Sequence, residues 1–139
     1  MRDAFELRSI LCAWVRKAEH DLEAAAVVLK TGRKAPTDTI CFHVQQCAEK
    51  YLKALLVLHG IPFPKTHDIS ELVASLPAKC RPPLEIEVQR QLTRYATISR
   101  YPGDYPEPTL TEAREAVRTV RRVRAWCRKL LPRAALRKE

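Results

Sequence analysis

The 139-residue chain is 46% hydrophobic, with 25 Lys or Arg against 16 Asp or Glu and a formal net charge of +9. That length suits one domain with one core, and that apolar share excludes a wholly disordered chain. Three glycines against ten prolines argue against a strand-rich fold full of tight turns, and the positive excess favours acidic partners: nucleic acid, nucleotide phosphates or an acidic protein.

The first predicted helix starts at Asp3, a good N-cap, and runs to about Lys30. Leu7, Ile10, Leu11, Trp14, Ala18, Leu22, Ala25 and Leu29 recur every three or four residues, which makes an amphipathic stripe. Gly32 and Pro36 close it. The second helix is expected over residues 37–59, capped by Thr37 or Asp38 and stopped by Gly60 and Pro62. Ile40, Val44, Ala48, Tyr51, Leu52, Leu55 and Leu58 share one side of it. His43, Gln46, Glu49, Lys50 and Lys53 share the other.

A proline-flanked Phe63 follows, held extended and expected at the core edge. A short third helix starts at Thr66 or Asp68 and reaches Leu76, with Ile69, Leu72, Val73 and Leu76 inward. After the Pro82-Pro83 pair a fourth helix is expected over residues 83–99. Residues 100–108 hold three prolines and a glycine and read as a stiff loop. Thr109-Leu110-Thr111-Glu112 fits a capping box. The last helix then buries Ala113, Ala116, Val117, Val120, Val123, Cys127 and Leu130. Pro132 ends it. The fold expected is all-α, an up-down bundle of four to five helices with a short helix in the connector. One domain covers residues 1–131 and a basic tail residues 132–139. From Thr109 onward, ten Lys or Arg face three Glu.

Five cysteines, an odd number without a CxxC pair, suggest no disulfide framework and a reducing cytoplasm. No apolar run is long enough for a signal peptide or a membrane span.

The polar side of the second helix is the first candidate site. His43, Gln46, Lys50 and Lys53 lie within a sector of roughly 80° at about 100° per residue. Lysines there would meet phosphate as charge, and His and Gln would direct hydrogen bonds to a nucleotide or RNA. The competing readings are a solvated face, with Glu49 and Lys53 as an i,i+4 pair, and a dimer interface. Lys65 and His67 stand at a helix start, where backbone N–H groups favour an anion. Arg100, Tyr101 and Tyr105 on the stiff loop could clamp or stack on a base; alternatively the tyrosines close the bundle end. His43 and Cys47, with His67, make a poor metal set without recognisable spacing, so no metal or other cofactor is expected. No GxSxG, P-loop or GxGxxG occurs.

Two long segments, Trp14 to Leu22 and Cys41 to Leu56, together with Lys65-Thr66-His67-Asp68 and Arg100-Tyr101-Pro102-Gly103-Asp104-Tyr105, resemble the HEPN domain family. The resemblance covers roughly residues 14–131 with the segments in order. It implies a helical up-down bundle, often a homodimer, in a prokaryotic protein frequently encoded beside a minimal nucleotidyltransferase as a toxin–antitoxin-like pair. It also implies nucleotide binding, and in many members metal-independent RNase activity that uses an Arg followed after four to six residues by His. Arg100 is the counterpart of that Arg. The three corresponding positions here are Tyr105, Pro106 and Glu107. The expectation is therefore binding of a nucleotide, RNA or the nucleotidyltransferase partner rather than catalysis. The rivals are an RNase toxin that pairs Arg100 with His43 or His67 brought close in space, and a purely structural interaction module.

Overall fold

The structure, a computed structural model, describes residues 2–63, 65–98, 103 and 106–137. Among these residues there are six α-helices, two single 3-10 turns and no strand: α1 (Ala4–Leu29), α2 (Thr37–Leu58), α3 (Ile69–Ser75), α4 (Ile86–Arg94), α5 (Leu110–Leu130) and α6 (Arg133–Leu136).

Local chemistry accounts for most boundaries. The Asp3 carboxylate accepts from the Glu6 N–H at 2.8 Å and starts α1. Gly60, at φ +67°, closes α2: its N–H reaches the Val57 carbonyl and the Ile61 N–H reaches that of Leu56, a Schellman closure that a left-handed residue permits. The Thr109 hydroxyl and the Glu112 side chain cap each other's backbone as a full capping box at the start of α5.

Four expectations need correction. Pro36, not Thr37 or Asp38, occupies the N-cap of α2, because the Asp38 carboxylate accepts from its neighbour Thr39 N–H instead. Of the two residues expected to start α3, Asp68 is the cap, while the Thr66 hydroxyl accepts from the Asp68 N–H and orders the turn before it. α4 is shorter than expected and starts only at Ile86, since Pro82 and Pro83 hold the preceding chain extended. At the C-terminal end Leu130 is 36% exposed, whereas Leu131, turned inward by its extended backbone, is buried. The chain then continues not as a free tail but as α6, whose Ala135 is buried and whose Ala134 carbonyl accepts from Cys12 Sγ and Arg8 Nε, both at 3.5 Å.

α2 is the central element, in contact with α1, α3, α4 and α5. Thirteen of its 22 residues are buried, against six of 26 in α1, so α2 has no fully solvated side. Leu52, Leu55 and Leu56 are wholly buried on it, each worth about 1.5–3 kcal/mol of transfer free energy. Among the described residues, no helix is long and apolar enough to cross a membrane.

Candidate functional site

The polar residues of α2 are built onto two buried carboxylates. Asp21, on α1, is 8% exposed. It faces His43 Nδ1 at 2.9 Å through Oδ1 and accepts from Lys50 Nζ through Oδ2. Glu49, on α2 itself, is 4% exposed. Its Oε1 accepts from Gln45 Nε2 at 3.1 Å and faces His67 Nδ1 at 2.7 Å, and its Oε2 accepts from Lys53 Nζ at 3.0 Å. Gln45 also donates to the His67 carbonyl at 2.9 Å and accepts from Gln46 Nε2 at 2.7 Å. A buried amide thus ties the connector to the helix. The Lys53 ammonium lies 5.8 Å from the Trp14 ring centroid and 5.4 Å from that of Phe63, while the two rings meet edge to face. Aromatic faces offset part of the cost of burying that charge.

The two imidazoles form the solvent edge of this network. The His43 side chain is 30% exposed and that of His67 56%. Each presents Nδ1 to a carboxylate, which leaves Nε2 without a protein partner among the described residues. Burial works to raise the Glu49 carboxyl, but hydrogen bonds from His67, Gln45 and Lys53 and the charge of Lys53 outweigh it and hold the group below its usual 4.5.

A second carboxylate of α1, Glu19, faces α5. Arg124 binds it through Nε at 2.8 Å and through its second terminal nitrogen at 2.7 Å, and Tyr51 donates its hydroxyl at 2.8 Å. Arg128 donates to the Tyr51 oxygen at 3.3 Å. Burial again opposes ionisation of Glu19, and hydrogen bonds from Arg124 and Tyr51 with the charges of Arg124 and Arg128 reverse the balance, so this carboxyl also sits below its ordinary value.

Of the residues singled out in the sequence, His43 and Lys50 converge on Asp21, and Lys53 and His67 converge on Glu49. Gln46 joins through Gln45, and Lys65 is exposed beside them in sequence. Arg100, Tyr101 and Tyr105 lie outside the described residues. The notional His43–Cys47 metal pair does not form. His43 is committed to Asp21, Cys47 is fully buried, and burial pushes its thiol up. Burial likewise raises Cys41 and Cys127 to about 12, and a thiol held neutral is a poor ligand and nucleophile. Among the described residues no group of three or more His, Cys, Asp or Glu is arranged to hold a metal ion. Sequence reasoning missed Asp21 and Gln45, and it did not expect Glu49, on the polar side of the second helix, to be buried.

Residues 12–130 match the family model described as HEPN domain. The chain belongs to the HEPN domain family. Two solved structures share this fold over most of the chain. TT1696 from Thermus thermophilus is 30% identical with a TM-score of 0.74, covering 87% of this chain and 98% of that one. ST0689, an archaeal HEPN homologue, is 32% identical with a TM-score of 0.66, covering 86% and 96%. Among curated proteins, the one named Putative toxin MJ1304, from Methanocaldococcus jannaschii, is 46% identical over 57 residues, 41% of this chain. That match spans 35% of the relative's own length.

Proposed function

We propose that this chain is a toxin-like HEPN protein of the kind paired with a minimal nucleotidyltransferase, and that it binds RNA or a nucleotide through the polar face of α2. Likeness to a relative named as a toxin supports the first part. The observation that carries the second is the pair of carboxylates, Asp21 and Glu49, buried beneath two half-exposed imidazoles. Burying a carboxylate costs several kcal/mol unless it is paired and hydrogen-bonded, and a merely solvated face has no use for two. Here they orient His43, Lys50, Lys53 and His67 before any ligand arrives, which lowers the cost of binding. Lys65, Arg100, Tyr101 and Tyr105 complete the proposed surface. The working unit in this reading is a cytoplasmic homodimer, which light scattering would report as about twice 15.9 kDa.

Replacing His43 and His67 together by Ala leaves the Lys50–Asp21 and Lys53–Glu49 pairs in place, so the fold should persist. Fluorescence anisotropy with a labelled single-stranded RNA, and with ATP as competitor, should then show affinity lower by about tenfold, or 1.4 kcal/mol. Unchanged affinity contradicts the reading.

A catalytic version is favoured by one feature of the same geometry. A carboxylate on Nδ1 leaves Nε2 available for proton transfer. RNA cleavage in EDTA by the wild type, lost in either His variant, would promote that version over simple binding.

A further inference from the structure

On the opposite side of α1 a groove of about 800 Å³ opens between α1, α5 and α6. None of its residues belongs to the α2 network. Its α1 wall runs from Ser9 to Ala26, about 25 Å at 1.5 Å per residue. Ala13, Ala26 and Ala135 give it a shallow, small-residue floor, to which Leu22 and Leu136 add apolar surface. Five guanidinium groups line it, from Arg16, Arg121, Arg124, Arg128 and Arg137, against the two carboxylates of Glu19 and Glu23.

These arginines are not equivalent. Arg124 and Arg128 share Glu19, at 2.7 and 3.7 Å, and are held against the groove wall. Arg16, Arg121 and Arg137 have no carboxylate partner among the described residues. The groove therefore holds a surplus of uncompensated positive charge along an elongated apolar floor. His20 brings the one ring among its lining residues and no Phe, Tyr or Trp lines it, so stacking surface for unpaired bases is sparse. A floor of alanines admits a helix backbone closely, and Arg16 on the α1 wall with the arginines of the α5–α6 wall match carboxylates that flank an apolar stripe.

We propose that this groove seats an acidic amphipathic helix of a partner protein, in the helix-in-groove mode. Apolar anchors at i, i+3 or i+4, and i+7 would meet Leu22, Ala26 and Leu136. Glu or Asp on either flank would pair with Arg16, Arg121 and Arg137, for which Arg geometry suits bidentate binding. The occupant is distinct from the ligand proposed for α2, and the two sites fail independently.

The probe is a labelled synthetic helix of roughly 16 residues, about the length of the groove at 1.5 Å per residue. It carries Leu on the anchor positions and Glu on both flanks. A peptide of identical composition in scrambled order and a single-stranded RNA serve as comparisons. By anisotropy on the full chain at constant ionic strength, the amphipathic peptide should bind about tenfold more tightly than the scramble. The double variant Arg16→Glu with Arg121→Glu should lose about tenfold or more, and Arg114→Glu with Arg118→Glu, the same charge change on α5 outside the groove, less than about threefold. Both pairs are exposed, and thermal melting verifies that each variant is folded. Equal binding of the two peptides, equal loss in the two double variants, displacement of the peptide by RNA, or no peptide binding would each overturn the proposal.

Discussion

Glu19 and Asp21 stand two residues apart on α1, roughly 200° around its axis at about 100° per residue, and they serve different purposes. Glu19 meets a guanidinium through two nitrogens and a tyrosine hydroxyl. An arginine fork on a carboxylate is geometrically fixed and stays charged, so this side works as a clamp between α1 and α5. Asp21 and Glu49 each meet one lysine and one imidazole through single contacts, with the Gln45 amide added at Glu49. Their partners retain unused donors and ring nitrogens. The clamp spends its hydrogen-bonding capacity on structure, whereas the α2 network holds some in reserve at a solvent edge.

Removing Glu49 is the strongest way to break this contrast. Glu49→Ala would leave Lys53 charged and nearly buried, and orphaning a buried charge costs about 3–5 kcal/mol. Urea denaturation should report that loss; a change as small as that of an exposed pair would mean the network is not buried in solution. Glu19→Ala should cost less, about 1.5–3 kcal/mol for hydrogen bonds to a charged group, because Glu19 and Arg124 are each about one-third exposed and water can take over. Equal costs for the two variants would erase the distinction between clamp and network.

Acid sharpens the comparison further. Both carboxyls titrate below their usual value in the folded protein, so protons bind the unfolded chain more readily. Their contribution to stability is complete above the ordinary value of 4.5 and is lost as pH falls through the folded values. Urea midpoints measured downward from neutral pH should drop below that point, and Glu49→Gln should flatten part of the drop. The smallest effect belongs to Glu115→Ala. That residue pairs with Arg118 at 2.7 Å, both more than half exposed, and such pairs contribute about 0–1 kcal/mol.

The helices were legible because periodicity and caps are local. Asp3, Gly60 and the Thr109–Glu112 box all act within one turn of the boundaries they set. The start of α4 was not, since the Pro82-Pro83 pair extends the chain further than a single proline at a helix start would. The site was half legible. His43, Lys50, Lys53 and His67 do gather, but the sequence offered no reason to bring Asp21 across from α1, a contact 22 residues away from His43. Glu49 falls on the polar side of α2, read as a ligand surface, a solvated face or a dimer interface, and a single apolar stripe per long helix gives no sign that it is buried. Cys47, Ala54 and Leu56 lie off that stripe, on both of its flanks, and are all fully buried; their presence is the available sign that the helix is central.

On the proposed reading the α2 face receives the ligand and the α1–α5 side does not receive nucleic acid. The chain's four histidines report on this directly. His43 and His67 edge the network, His20 lines the arginine groove, and His59 rests against Cys80 at 3.4 Å. Long-range proton–nitrogen NMR of the imidazoles, recorded while single-stranded RNA is titrated into the wild type, separates the sites in one experiment. The His43 and His67 nitrogens are expected to shift with saturation while His20 and His59 hold still; movement of His20 with His43 and His67 unchanged would contradict a ligand site on α2.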